Sequence, residues 1–88
     1  MPDAVAVTLL TEPACGYCED AKAILARLSA ELPLRIAYQD LGSQEGQRLA
    51  RDAGILLPPG ILIDGEPFSY GRPSERKLRR ELRRRLAA

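Results

Sequence analysis

The chain has 88 residues, of which 45% are hydrophobic and 28% charged, with no histidine and no tryptophan. That suits one soluble globular domain over residues 1–88, because a second core would be too short to stand alone; the missing histidine excludes Ser-His-Asp and Cys-His catalysis and any Cys/His zinc finger. The formal net charge of +1 hides an asymmetry: residues 1–71 carry five basic groups against ten acidic ones, while residues 72–88 carry eight basic groups against Glu75 and Glu81.

Ala4–Leu10 is a nearly continuous apolar run, partly β-branched, and reads as a buried strand of the parallel kind. Asp3 precedes it and no cationic stretch leads into it, so it does not resemble a signal peptide. No apolar run reaches the ~20 residues that a membrane span needs. The expected location is the cytoplasm, where a structural disulfide is unusual.

Pro13 and Gly16 end this strand, and a helix follows with Ala21, Ile24, Leu25 and Leu28 on one face. Leu34–Gln39 alternates and reads as a second strand, with Leu34, Ile36 and Tyr38 on one side. Ser43 can cap a helix over Gln44–Ala53 that Gly54 stops, although Gly46 in its first turn weakens the pattern. After Pro58-Pro59-Gly60 come a strand at Ile61–Ile63, an Asp64-Gly65 hairpin turn and a returning strand at Phe68–Tyr70. Ser74 caps a last helix running to about Leu86, with Leu78, Leu82 and Leu86 as its apolar stripe. A right-handed crossover makes the first two strands parallel, and the hairpin can extend the same sheet, leaving helices on both faces.

Cys15-Gly16-Tyr17-Cys18 falls where the first strand gives way to the first helix. A sulfur at a helix N-terminus meets unpaired backbone N–H groups and the positive end of the helix dipole, which favour the thiolate. Cys15 is therefore the expected nucleophile. Cys18, one turn in, is placed to attack the resulting mixed disulfide. Two other readings compete: half of a zinc site, which only a dimer could complete because the chain holds no further cysteine or histidine, and a pair of inert thiols acting as small apolar residues.

Cys15-Gly16-Tyr17-Cys18-Glu19-Asp20-Ala21-Lys22 resembles the glutaredoxin pattern C-P-Y-C-x-x-A-K, and Pro59-Gly60-Ile61-Leu62-Ile63-Asp64-Gly65 resembles the P-x-V-F-I-x-G segment of that family. The resemblance spans nearly the whole chain. It implies an α/β minimal thioredoxin fold: βαβ, a helix, a β-hairpin and a C-terminal helix, with a four-stranded mixed sheet between helices. It also implies a thiol-disulfide oxidoreductase working by dithiol exchange, with Cys15 attacking and Cys18 resolving. Gly16, Tyr17, Pro58 and Pro59 would bind substrate, Pro59 as a cis-proline facing the cysteines, with Tyr70 as a further apolar wall; the competing reading makes Pro58-Pro59 a rigid turn. No metal and no permanently bound cofactor is expected. The substrates would be disulfide-containing proteins or small molecules, and electrons would come from glutathione or a flavin reductase.

Four positions depart from the related patterns. Glu12 stands where glutaredoxins carry a lysine, and Pro58, which lacks an N–H, stands where a backbone donor meets the substrate. Both weigh against tight glutathione binding. Ala14 and Leu9 replace the tryptophan and the buried acid that mark thioredoxins.

The basic residues Arg72, Arg76, Lys77, Arg79, Arg80, Arg83, Arg84 and Arg85 fit a docked amphipathic helix with a solvated cationic face. A sharper reading makes that face a docking surface for an acidic partner. Nucleic acid is not an expected partner, because the run lacks interleaved aromatics. The alternative function is a non-catalytic binding module that docks a partner through this helix, its cysteines incidental. The chain is expected to be monomeric.

Overall fold

The computed structural model describes residues 4–88. Its elements run β1 (Val5–Thr11), α1 (Gly16–Glu31), β2 (Leu34–Asp40), α2 (Gln44–Ala53), β3 (Gly60–Ile63), β4 (Glu66–Tyr70) and α3 (Glu75–Ala87). They form one four-stranded sheet in the order β2-β1-β3-β4. β1 pairs parallel with β2 and antiparallel with β3, and β3 pairs antiparallel with β4. Among the described residues no helix is long and apolar enough to cross a membrane.

The apolar run that suggested a buried strand takes a central place, with a neighbour on either side. Strand alternation sends Val5, Val7 and Leu9 to one face together with Ile61 and Ile63. There they meet Ala21, Ile24, Leu25 and Leu28 of α1 and Leu78 and Leu82 of α3. The two helices with regular apolar stripes thus share one face of the sheet. The other face carries Leu10 and Leu62, both buried. Gly60 faces that side, where a Cβ would press on Ile55 and Leu10.

Helix ends follow local chemistry. The hydroxyl oxygen of Ser43 accepts from Gly46 N–H at 3.0 Å, that of Ser74 from Lys77 N–H at 3.2 Å, and Gly54 closes α2 in the left-handed region at φ 69°. Asp64 and Gly65 both take positive φ, 51° and 80°, as a two-residue turn of type I′ requires. Because the turn is that short, β4 begins at Glu66, two residues earlier than the sequence pattern indicates. A register shift opposite Ile61 and Leu62 accommodates Pro67 on this edge strand. Tyr38 lies 52% exposed near the end of β2, so the face it shares with Leu34 and Ile36 is covered only along its first part.

Much of the basic charge of α3 is consumed internally. Arg27 on α1 meets Glu75 at 2.7 Å, Arg79 meets Glu31 at 2.7 Å, and Arg83 reaches Glu31 at 3.5 Å. Arg84 and Arg85 grip Glu81 at 2.6 and 2.8 Å, and Arg85 also ties to Asp64 and Glu66 on the hairpin. Hydrogen bonds from Arg84 and then Arg85 lower the Glu81 carboxyl from 4.5 to about 2. Arg79, Arg83 and Arg85 thus join α3 to acidic groups of α1 and the hairpin, and Arg27–Glu75 joins α1 to α3 in the opposite sense.

Candidate functional site

Strand register brings four separate chain segments to one end of the sheet. Leu10 near the end of β1 lies opposite Gly60 at the start of β3, Gly60 lies opposite Tyr70 at the end of β4, and Thr11 lies beside Asp40 at the end of β2. The segments leaving these ends are 12–15 with the first cysteine, 41–43, 56–59 and 71–74. The Pro58–Pro59 peptide bond is cis. Pro59 is fully buried, and its carbonyl accepts from Gly71 N–H at 2.9 Å. Pro59 thus couples the 56–59 segment to 71–74 through its backbone, while half-buried Pro58 is the more accessible of the two prolines.

Cys15 is the N-cap of α1, with extended backbone, and forms a disulfide with Cys18 across a Cα–Cα distance of 5.2 Å. Its sulfur accepts a hydrogen bond from Cys18 N–H at 3.1 Å, and its carbonyl accepts from Glu19 N–H at 3.2 Å. Sulfur here takes the place of the serine or aspartate oxygen that usually satisfies a free N–H in the first helical turn. Cys18 is 1% exposed, whereas Cys15 is partly exposed. The helix twist creates this asymmetry: Cys18 shares the buried face of Ala21 and Leu25, and the cap position points outward.

Gly16 and Tyr17 are both exposed, Tyr17 to 48%. Tyr70 also lies at this end and is exposed. Two further features were not foreseen from the sequence. Leu56 and Leu57, directly before the prolines, are 75% and 59% exposed. In sequence, Ile55-Leu56-Leu57 reads like interior, and only its position between α2 and the buried Pro59 turns the two leucines outward. Ala14, immediately before Cys15, has φ 54°, a left-handed conformation that non-glycine residues adopt at a cost. No local pattern announces this, because the conformation arises where the chain must turn from β1 into the cap of α1. Ala14→Gly is expected to raise stability by about 0.5–1 kcal/mol, less than the full left-handed penalty because glycine is freer when unfolded. Denaturant unfolding of the oxidised protein reads it out, and unchanged or lower stability would show that Ala14 is not strained.

Among the described residues there is no cluster of three histidine, cysteine, aspartate or glutamate side chains arranged to hold a metal ion. The arrangement that is present can exchange disulfides. A sulfur sits at the surface on a helix N-terminus, with a backbone N–H aimed at it and a second sulfur behind it.

No protein-family model matches the chain. It is similar to a thioredoxin of Methanocaldococcus jannaschii, with 28% identity over 82 residues, 93% of this chain and 96% of that protein. It is also similar to a probable thioredoxin of Archaeoglobus fulgidus, with 28% identity over 80 residues, 91% of this chain and 88% of that protein. Among solved structures, a thioredoxin mutant from Halobacterium salinarum superposes with a TM-score of 0.72 at 22% identity, covering 93% of this chain and 74% of that one. A thioredoxin-like protein from Clostridium perfringens superposes with a TM-score of 0.74 at 18% identity, covering 96% and 72%.

Proposed function

We propose that this chain, a thioredoxin-fold thiol-disulfide oxidoreductase, works as a disulfide reductase in which Cys15 attacks and Cys18 resolves. The observation that carries this assignment of roles is the hydrogen bond from Cys18 N–H to the Cys15 sulfur at the start of a 16-residue helix. A donor aimed at that sulfur, together with the helix dipole, favours the thiolate over the thiol. Only Cys15 is accessible to a bulky disulfide, because Cys18 is buried.

The reaction then balances without a resident cofactor. The Cys15 thiolate attacks one sulfur of the substrate disulfide. A Cys15–substrate disulfide forms, and the other substrate sulfur leaves as a thiolate that takes up a proton. Cys18 loses its proton and attacks the Cys15 sulfur, forming Cys15–Cys18 and releasing the second substrate thiol. Two electrons pass from the protein dithiol to the substrate. The structure holds the oxidised end state, and a reductase or glutathione must return the electrons.

In this reading substrate lies across the end of the sheet, over Gly16 and Tyr17 on one side and Pro58 and Pro59 on the other. Pro58 can offer only its carbonyl to a bound chain, and Pro59 acts from beneath the surface through the backbone it positions. Tyr17, Leu56 and Leu57 provide exposed apolar area that favours polypeptide disulfides over small polar ones.

The test is a redox titration in glutathione buffers, read by mass spectrometry after acid trapping. A reversible Cys15–Cys18 couple with a midpoint at about −180 to −300 mV is the expected result. Thiols that remain unreactive across the range would end the reductase reading. A populated glutathione adduct on Cys15 would identify glutathione as an electron donor despite Glu12 and Pro58.

A further inference from the structure

The internal ion pairs of α3 leave a specific set of cations over. Arg72, Arg76, Lys77 and Arg80 are exposed and make no ion pair among the described residues, whereas Arg79, Arg83, Arg84 and Arg85 are all engaged. Three of the free cations, Arg72, Lys77 and Arg80, line a groove of about 470 Å³ between β4 and α3. Tyr70 and Phe68 form part of its wall. The groove contains one carboxylate, that of Glu81, which Arg84 and Arg85 already neutralise. The charge lining the groove is therefore positive in excess.

This groove opens at the redox end of the molecule. Arg72 follows Gly71, whose N–H is bonded to the Pro59 carbonyl. Arg72 and Pro73 also border a cleft with Asp20 and Ala23, on the helix that Cys15 caps. Through Tyr70 and Arg72 the groove thus begins at the end of the sheet where β1 leads into the Cys15 cap.

We infer that the Arg72–Lys77–Arg80 groove binds an acidic stretch of the substrate polypeptide flanking its disulfide, and so selects acidic protein substrates. This rests on the reductase reading above and adds the substrate class to it. Complementary charge beside a reactive disulfide raises the encounter rate and fixes orientation, and both effects weaken as salt screens them. A protein occupant fits better than a nucleic acid. The groove starts at the end of the sheet that carries the cysteine pair, and a single exposed tyrosine is not a series of stacking platforms.

The test compares two disulfide-bridged peptides of identical core, one flanked by aspartates and the other by lysines, reduced by the full chain at low salt. The wild type is expected to favour the aspartate peptide in kcat/KM by about tenfold, with most of the preference lost at ~0.5 M salt. The charge-reversed variant Arg72→Glu/Lys77→Glu/Arg80→Glu is expected to favour the lysine peptide instead. Equal rates for both peptides in the wild type, or a preference unchanged in the variant, would overturn the inference while leaving the reductase reading in place. Failure to reduce either peptide would overturn both. A single-stranded DNA oligonucleotide that binds the groove more tightly than the reduced aspartate peptide would overturn the choice of a protein ligand.

Discussion

Cys15→Ser is expected to lower disulfide reductase activity on the order of 10³-fold or more, because among the described residues no other sulfur is both partly exposed and held at a helix N-terminus. A serine hydroxyl can take over the hydrogen bond from Cys18 N–H, since serine is itself a favoured N-cap. The fold should therefore survive the loss of chemistry. The proper stability reference is the reduced wild type, because closing a short loop contributes about 2 kcal/mol to the oxidised form. Cys18→Ser should behave differently: the first attack still proceeds, and the mixed disulfide with substrate accumulates because the resolving sulfur is gone. Mass spectrometry of the two variants after one turnover distinguishes the roles. An adduct trapped on Cys18 in Cys15→Ser would reverse the assignment. Full activity in Cys15→Ser would leave the cysteines incidental and return attention to the basic helix.

The second large effect concerns Gly46, in the first turn of α2. Helix propensity alone favours Gly46→Ala by about 1 kcal/mol. The structure predicts the opposite, because a Cβ at Gly46 would collide with the backbone carbonyl of Asp40 and crowd the Ser43 hydroxyl. That carbonyl cannot easily yield: it already accepts from Ser43 N–H at 3.0 Å and from the Ser43 hydroxyl at 2.6 Å. Asp40 is moreover the last paired residue of β2, opposite Thr11. Overpacking against fixed backbone commonly costs 1–3 kcal/mol, and a direct collision with a carbonyl belongs at the upper end, so after the propensity gain a net loss of about 2 kcal/mol is expected. For a chain of this length that lowers Tm by about 8–16 °C. Thermal unfolding of oxidised wild type and variant side by side measures it, and a variant as stable as the wild type would show that α2 is free to move off the end of β2.

Gly46 also shows where sequence patterns mislead. On propensity it argues against a helix over Gln44–Ala53, yet that helix is present with those bounds. The glycine is there because α2 passes close to the β2 backbone, a tertiary fact that carries no local signal. Leu56 and Leu57 err in the other direction, since their composition suggests interior and their position places them outside. Ala14 has no sequence signature for its positive φ at all.

The sequence by itself determined the order of elements, the caps Ser43 and Ser74, the Asp64-Gly65 turn, the apolar stripes of α1 and α3, and the cysteine pair at a strand-to-helix junction. All are local: periodicity, capping and turn chemistry act over a few residues, and the chain records them directly. The tertiary structure decided which distant segments share one end of the sheet, that Pro59 is buried while Leu57 is not, and which of eight basic groups in the last 17 residues remain free. Those outcomes depend on contacts between residues as far apart as Glu31 and Arg79 or Pro59 and Gly71. Composition counts the charges of such partners, and only packing sets the distances at which they neutralise one another.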